Sequence, residues 1–343
     1  MNRNWARFAE SGGAVWTVVA VLGAYALLTS EEFRVTANLT NLLRQMVVLG
    51  LASLAQFVVV LARGVDLSLG ASVRLASIVA AIVMAGSDDN FLLGVLLAVG
   101  VSLTIGAANG LIVSRLRLEP FIATLGTGAV VSGIALYVAS TPKGRVSPWW
   151  QDFYDHLLGP VPTLVVLAGI VVAAMWVLLA HTPWGRHLYA VGGDPSIARL
   201  SGLRVGAITV SAYMLAGLVA GLAGVVLIGR TGIGDSSAAV ALEFESLAVV
   251  VIGGASLAGG RGRLIGVLGG VVLFSMLGNI FTLLRVEVWY QQLVRGFIIL
   301  LAAALFVQRR TKSQTIPPAS GPLPHRGPSV PQQTSGEADD PGR

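Results

Sequence analysis

Long apolar runs separated by short polar joints make up most of this chain. An α-helix needs about 20 mostly apolar residues to cross the hydrocarbon core of a membrane, and such runs recur from residue 14 to residue 307. They predict about ten transmembrane helices, at residues 14–28, 42–62, 67–85, 91–113, 121–139, 162–180, 207–228, 246–257, 264–284 and 288–307. The predicted fold class is therefore all-α: a polytopic membrane protein in which some helices are short or broken by glycine.

One long polar stretch, residues 181–204, interrupts the apolar pattern. Within it Asp194 is suited to an N-cap, Pro195 to the first helical position and Gly202 to the far end, which predicts a helix over residues 195–201. A helix of about two turns is marginal alone, so its apolar side chains must dock on something: Ile197, Ala198 and Leu200. We interpret that surface as another protein. The alternative is an ordinary connector packed between two spans of this same chain.

Composition and charge narrow the class further. The 343 residues are 55% hydrophobic and 12% charged, with a mean hydropathy of +0.78, which excludes an ordinary soluble domain. The formal net charge of +6 does not indicate a nucleic-acid partner, because the basic residues lie in the joints between apolar runs. The sequence contains no cysteine, which excludes disulfides and thiolate metal sites.

The basic residues also predict the orientation, because cytoplasmic loops are enriched in Lys and Arg. With ten spans and a cytoplasmic N-terminus, thirteen of the 23 Lys and Arg residues fall in inner segments. Five fall in outer loops: Arg34, Lys143, Arg145, Arg230 and Arg285. We predict a cytoplasmic N-terminal segment (1–12), a transmembrane domain (13–308) whose polar stretch 182–205 lies in the cytoplasm, and a cytoplasmic C-terminus.

Two further segments differ from the spans in composition. Seven of the 14 prolines lie in residues 317–341, which predicts a disordered cytoplasmic tail over residues 309–343. The predicted outer loop 140–160 instead carries a cluster suited to the lipid headgroup level or to the surface of a partner: Trp149, Trp150, Phe153 and Tyr154.

The chain lacks the residues that ATP hydrolysis and metal binding need. A Walker-type phosphate loop has Gly directly before its Lys, whereas Lys143 and Lys312, the two lysines, follow Pro142 and Thr311. The four histidines fall in loops or at span ends, without paired helical spacing. We predict no catalytic residue, no metal site, no cofactor bound by this chain and no enzymatic activity of its own.

Polar residues also enter the predicted spans. The segment 63–70 interrupts an apolar run, and a new helix is predicted to begin there with Asp66 or Ser68 as its N-cap. The N–H groups at such a helix start suit a polar solute crossing lipid; the alternative is that Asp66 only caps the helix. Arg74 lies about 12 Å farther along the predicted helix from Asp66, inside the membrane region, where a charge is costly unless it is paired. Its candidate partners are Asp66, Glu243 and Glu245.

Glu243 and Glu245 open a segment whose end, residues 253–262, is unusually rich in glycine. Glycine permits sharp turns and close backbone approach, which predicts a span that stops short within protein. The glycine pattern at 64–70 is faintly repeated at 254–260, a hint of a duplicated ancestor.

Several motifs carry a resemblance that covers residues 50–303 apart from 146–160. They are GVDLSLG at 64–70, NGLIVSRLRLEPFIATLGT at 109–127, GRHLYAVGGDPSIARLSGL at 185–203, ESLAVVVIGGASLAGGRG at 245–262 and WYQQLVRGFIILLA at 289–302. In combination they resemble the membrane-spanning permeases of bacterial ABC importers for sugars. This ribose-type family also includes xylose, galactose and autoinducer-2 permeases.

The resemblance implies a permease subunit that carries a sugar or a similar small polar solute into the cytoplasm. It would lie in the lipid of the bacterial cell (inner) membrane. Its implied partners are cytoplasmic ABC ATPase subunits, which bind ATP and Mg, and an extracytoplasmic solute-binding protein. A second permease copy would complete a homodimer or a heterodimer.

The resemblance also assigns residues. The stretch 182–205 resembles the coupling loop that docks on the ATPase, with contacts expected at Arg186, His187, Gly192, Gly193, Asp194, Pro195, Ile197, Ala198, Arg199, Leu200, Ser201 and Gly202. The expected translocation path is lined or shaped by Asp66, Ser68, Arg74, Asn109, Thr124, Thr127, Glu243, Glu245 and Gln291.

The sequence departs from the family pattern at two of these sites. Ser196 and Ile197 stand where relatives usually have Glu or similar residues, and Arg74 stands where they usually have a small or apolar one, which points to an anionic or unusual polyol solute.

Three other functions fit part of the sequence. A stand-alone ion-coupled carrier would use Glu243 or Asp66 as its proton or sodium site, and an ion gradient alone would drive it. In a second alternative the chain is an ABC permease for nucleosides or branched-chain amino acids, but its cytoplasmic segment resembles those permeases less than it resembles the sugar permeases. A purely structural membrane protein would leave the intramembrane Arg and Glu residues unexplained.

Overall fold

The computed structural model describes residues 13–287, 289–291, 293–294 and 296–297. Three predicted features lie wholly or mostly outside these residues: the N-terminal segment 1–12, the last predicted span 288–307 and the tail 309–343.

The described part of the chain is a bundle of α-helices with one short hairpin. The helices are α1 (Gly13–Thr29), α2 (Glu31–Arg34), α3 (Thr36–Leu61), α4 (Leu69–Met84), α5 (Phe91–Arg115), α6 (Pro120–Val138), α7 (Pro148–Asp155), α8 (Thr163–His181), α9 (Pro183–Gly193), α10 (Pro195–Leu200), α11 (Val205–Thr231), α12 (Leu242–Ile252) and α13 (Leu264–Leu283). Strands β1 (Leu157–Leu158) and β2 (Val161–Pro162) pair antiparallel between α7 and α8, with Leu157 opposite Pro162. The prediction of a mostly helical chain is confirmed.

Six of these helices are long and apolar enough to cross a membrane: α3, α5, α6, α8, α11 and α13. Two more, α1 and α4, are apolar but shorter, at 17 and 16 residues. Helix α12 has only 11 residues, so it is too short to cross alone, as its glycine-rich end predicted. A total of about ten spans remains a prediction.

Helices α3 and α11 form the centre of the bundle. In their most apolar windows 72% and 78% of residues are buried, against 22% for α5 and 17% for α8. Glycines in α11 allow its neighbours to come close. A Cβ at Gly221 would lie 2.6 Å from Val99 Cα of α5, and a Cβ at Gly224 would lie 2.7 Å from the Val73 carbonyl oxygen of α4. The outer helices therefore present most of their surface to the surroundings.

A pair of asparagines joins α3 to α13. Asn38 Nδ2 donates to Asn279 Oδ1 (3.1 Å), and Asn279 Nδ2 donates to Asn38 Oδ1 (2.7 Å). Asn279 is buried. Because each amide supplies both a donor and an acceptor to the other, two polar groups are satisfied without water.

The aromatic cluster at α7 is partly core and partly surface. Trp150 is buried and its indole N–H donates to the Val225 carbonyl of α11 (2.9 Å), whereas Trp149 is exposed. Asp88 holds the start of the helix by accepting from Ser147 Oγ (2.6 Å) and from the Trp149 backbone N–H (2.9 Å). These two bonds lower the pKa of the Asp88 carboxyl.

Candidate functional site

The predicted capped helix is present as α10. Asp194 Oδ1 accepts from the backbone N–H groups of Ser196 (2.8 Å) and Ile197 (3.1 Å), which is the bonding of an N-cap. The helix ends at Leu200, one residue earlier than predicted. Gly202 adopts a positive φ of 83°, and the N–H of Leu203 reaches back to the Ala198 carbonyl (3.0 Å). This is the bonding of a Schellman motif, which needs a left-handed residue after the helix.

The apolar residues of α10 divide between two surfaces. Ala198 is 3% exposed and packs on this chain, whereas Ile197 is 63% and Leu200 89% exposed. Three residues apart, these two lie on one side of the helix. The connector interpretation therefore holds for the Ala198 side, and the other side presents unpartnered apolar surface. Of the other residues expected to contact an ATPase, Arg186, Gly193, Asp194, Arg199, Ser201 and Gly202 are exposed, His187 and Pro195 are half-buried and Gly192 is buried.

The Asp194 cap should be functional across the neutral pH range. Its hydrogen bonds from Ile197 and Ser196 lower the pKa of the carboxyl below its usual value of 3.8. The cap is therefore complete above that value, and it is lost only as the pH falls through the lowered pKa. We expect Asp194→Ala to weaken, by about fivefold, the solute uptake that the family resemblance implies, because two helix N–H groups lose their acceptor. The loss should be equal at pH 6 and pH 8.

Asp194→Asn is the matched control, because an asparagine side chain offers the same acceptor oxygen. Uptake into proteoliposomes at both pH values is the measurement. Equal uptake by the Ala and Asn variants would contradict a role for the cap.

Three backbone segments meet beside α10. They form the glycine junction, which we define as Leu61, Gly192, Gly259 and Gly260. The N–H of Gly260 donates to the Leu61 carbonyl (3.0 Å). A Cβ at Gly192 would overlap that carbonyl oxygen and lie 2.7 Å from the Gly260 nitrogen. The end of α9 is thus in direct backbone contact with the end of α3 and with the loop between α12 and α13.

Asp66 and Ser68 lie in the loop between α3 and α4, but neither side chain caps α4 as predicted. Asp66 Oδ1 instead accepts from the backbone N–H (2.8 Å) and Oγ (2.6 Å) of Ser68, the residue before the helix. Ser68, the N-cap residue, makes no side-chain cap bond. Its Oγ accepts from Asn109 Nδ2 of α5 (2.8 Å). These two side chains therefore shape the loop rather than the first turn.

Thr124 of α6 holds the same loop from the other side. Its Oγ1 accepts from the N–H of Leu67 (3.0 Å) and lies 3.1 Å from the Val65 carbonyl oxygen. Asp66, Ser68, Asn109 and Thr124 are all buried. The structure therefore brings four of the predicted path residues into one polar network.

Two members of this network were missed from the sequence. The side-chain amide of Gln56 in α3 faces the backbone of Asp66. Its nitrogen lies 3.0 Å from the Asp66 carbonyl oxygen, and its oxygen accepts from the Asp66 N–H (3.2 Å). The Tyr213 hydroxyl of α11 donates to the Val65 carbonyl (3.5 Å). Each is a polar residue within a long apolar helix, and that signal would have found them.

Of the three partners predicted for Arg74, namely Asp66, Glu243 and Glu245, the first two are wrong. In the described part of the chain Arg74 forms no ion pair with either; its Nε donates to the Ala238 carbonyl (3.1 Å). The reason is that the loop before α12 runs along α4 and places this carbonyl beside the guanidinium. Glu243 lies farther down, against Gly70, and its Oε2 is buried without a hydrogen-bond partner among the described residues.

The remaining predicted path residues lie apart from the network. Thr127 Oγ1 bonds within its own helix, to the Ala123 carbonyl (3.0 Å), and Gln291 Nε2 bonds to the nearby Val286 carbonyl (2.8 Å). Glu245 lies in the first turn of α12 together with Glu243. Over the described ranges no group of three His, Asp or Glu side chains is placed to hold a metal ion.

The two glycine-containing turns share a hydrogen-bond pattern. Arg63 N donates to the Val60 carbonyl and Gly64 N to the Val59 carbonyl; likewise Gly254 N donates to Val251 and Ala255 N to Val250. Arg63 and Gly254 both have a positive φ, 66° and 89°. The two helix ends are therefore alike, but Arg63 corresponds to Gly254, one residue out of register with the glycine pattern, and the duplicated ancestor stays a prediction.

Comparison with known proteins decides the family. The family described as "Branched-chain amino acid transport system / permease component" matches residues 38–303. The chain belongs to this permease family. The ribose import permease of Escherichia coli strain K12 is 36% identical to this permease over 294 residues, 83% of this chain and 91% of that protein. That of Bacillus subtilis strain 168 is 37% identical over 284 residues, 81% and 87% of the two chains.

The galactose/methyl galactoside import permease of Escherichia coli strain K12 is 32% identical over 312 residues, 85% of this permease and 93% of that protein. No solved structure matches the sequence. The resemblance found from the motifs is therefore confirmed. The permease is an integral membrane protein and an import component of a transport system, not an enzyme.

Proposed function

We propose that this permease carries a sugar or a similar small polar solute into the cytoplasm as the membrane-spanning subunit of an ABC importer. The relatives named for ribose and galactose import align with more than four fifths of the chain. One structural observation supports the proposal most strongly. A capped helix, α10, offers the apolar side chains of Ile197 and Leu200 to a partner, and it follows directly on the glycine junction.

In this proposal the partner is a cytoplasmic ATPase subunit that binds ATP and Mg. Transport is driven only if the ATPase holds α10 differently in its two states, because a ligand shifts an equilibrium by its differential affinity. A displacement of α10 acts on the glycine junction, where backbone atoms touch without an intervening flexible side chain. The ends of α3 and of the α12–α13 loop would then move with it.

The remaining features of the proposed complex come from the family resemblance and the charge distribution. A second permease copy completes the path, and an extracytoplasmic binding protein delivers the solute. Both termini and the stretch 182–205 lie in the cytoplasm of a bacterial cell, where the positive charge is concentrated.

We further propose that the loop 63–68 forms one wall of the solute path. Its polar network of Gln56, Asp66, Ser68, Asn109 and Thr124 fixes the loop inside the bundle without contact to water. Asn109 Oδ1 is buried without a partner among the described residues, but the other bonds of the network join the loop to α3, α5 and α6. Such bonds restrict the loop, which suits a wall against which α12 moves. Arg74 and Glu243, which are less completely bonded, would line the space beside it.

Reconstitution tests the proposed function and separates it from an ion-coupled carrier. Purified permease in liposomes should take up no ribose or galactose under a proton or sodium gradient alone. Uptake should require the ATPase, ATP with Mg, and the binding protein. Uptake by the permease alone under an ion gradient would overturn the proposal.

Within that system, Leu200→Asp should reduce ATP-driven uptake at least about tenfold, since it places a charge on an apolar surface that a partner buries. Ser196→Asp is the matched control: it adds the same charge to an exposed position of the same helix without removing apolar surface. Co-purification of the ATPase with each variant is the second measurement. Equal losses in the two variants would show that charge alone, and not the Leu200 contact, matters.

A further inference from the structure

An apolar cavity lies within the bundle, away from the coupling helix and from the loop 63–68. It has a volume of about 200 Å³ and lies between α3, α5, α8 and α11, beneath α7. Its lining includes Val47, Val95, Ala168 and Val226, and Trp150 of α7 covers one end. The one polar group of these side chains, the indole N–H of Trp150, is already bonded to the Val225 carbonyl.

The lining residues all lie towards the same side of the bundle. Val47 is in the first half of α3, Val95 in the first turns of α5, Ala168 in the first half of α8 and Val226 in the last turns of α11. The glycine junction is at the other ends of these elements, because it contains Leu61, the last residue of α3. The cavity is thus at the depth of the membrane leaflet opposite the coupling helix.

Water is a poor occupant of this cavity. A buried water needs two to four polar partners, and apolar cavities of about 150 Å³ stay dry yet bind small hydrocarbons. Left empty, the space would deprive its lining of dispersion contacts. The chemistry of the lining therefore selects a hydrocarbon.

The surroundings indicate which hydrocarbon. Two walls of the cavity belong to α5 and α8, the helices with the least buried surface among the six long ones. Beside the cavity these helices expose Leu92, Leu96 and Ile170 outward, where a membrane supplies acyl chains. A chain entering between α5 and α8 would pass from lipid into the cavity without crossing a polar group.

We propose that this cavity binds one acyl chain of a membrane phospholipid from the leaflet opposite the coupling helix. The chain would lie against α3 and α11 and fix the distance at which α8 packs on them. Trp149, exposed beside Trp150, would then lie at the lipid headgroup level, where tryptophan is enriched. The proposal concerns a structural lipid and is independent of the transported solute.

The test fills the cavity with protein. Ala168→Phe adds a ring inside the space, whereas Ile170→Phe adds a ring two residues away on the exposed side of the same helix, where Ile170 is 62% exposed. After extensive washing in detergent, phospholipid is extracted and counted per permease chain by mass spectrometry. The wild type and Ile170→Phe should each retain a phospholipid. Ala168→Phe should retain about tenfold less, because the ring occupies the site.

Thermal unfolding gives a second readout and identifies the source of the hydrocarbon. Adding dioleoyl phosphatidylglycerol should raise the unfolding temperature of wild type and Ile170→Phe but not of Ala168→Phe; oleic acid alone should raise it less. Val95→Phe fills the same cavity from α5. It should lose the phospholipid and the thermal stabilisation in the same way, and it replaces Ala168→Phe in the test if that variant does not fold. Equal phospholipid retention by filled and unfilled variants, or a washed wild type that holds none, would overturn the proposal.

Discussion

Replacing Gly192 with alanine should nearly abolish ATP-driven uptake. The new methyl group would overlap the Leu61 carbonyl oxygen and lie 2.7 Å from the Gly260 nitrogen. Both are backbone atoms in a three-way contact, so no side chain can turn aside to make room. Overpacking at such a site costs about 1–3 kcal/mol. That cost is sufficient to separate the end of α9 from α3 and to reduce uptake about tenfold or more.

Gly206→Ala is the control for this substitution. It adds the same methyl group in the first turn of α11, outside the predicted coupling contacts, where the nearest atom to the new Cβ is Ser114 Cβ at 3.8 Å. The measurements are uptake into proteoliposomes and the elution profile of the purified complex, which reports folding. Comparable uptake by the two variants would show that the glycine junction does not transmit motion from α10.

Replacing Thr124 with valine should have the second large effect. Valine has nearly the shape of threonine but no hydroxyl, so the N–H of Leu67 would lose its acceptor inside the bundle, whereas the Val65 carbonyl would keep the Tyr213 hydroxyl as a donor. Each buried polar group left without a partner costs about 1–3 kcal/mol. We expect a lower unfolding temperature in detergent and at least about a tenfold loss of uptake.

The chain offers a closely matched control one helical turn away. Thr127→Val removes a hydroxyl that bonds only to the Ala123 carbonyl of its own helix, so it should change both quantities little. Thr124→Ser, which restores the hydroxyl, should recover most of the wild-type behaviour. Similar behaviour of the two valine variants would indicate that Thr124 lines the path like any polar residue and does not hold the loop.

The features that the sequence predicted well depend on neighbouring residues. The cap at Asp194, the left-handed Gly202 and the apolar helices arise from local backbone preferences and side-chain periodicity, which are read within a few residues. The shortness of α12 followed from the glycines at its end.

The features that were missed depend on residues far apart in the chain. Gly192, Leu61 and Gly260 meet only after three segments have packed, and no local pattern shows that a carbonyl will occupy the space a Cβ would need. Asp66 and Glu243 were wrong as partners of Arg74 for a related reason: a search for opposite charges overlooks a backbone carbonyl such as that of Ala238. Gln56 was overlooked because one amide hardly changes the hydropathy of α3.

The asparagine pair between α3 and α13 has a practical consequence. Neither helix can slide along the other without exposing two amides to hydrocarbon, which is costly. Spectroscopic labels placed on α3 and α13 beside Asn38 and Asn279 should therefore keep a constant separation throughout the transport cycle. Distances measured from that fixed pair to a label on α10 would give the displacement of the coupling helix during transport.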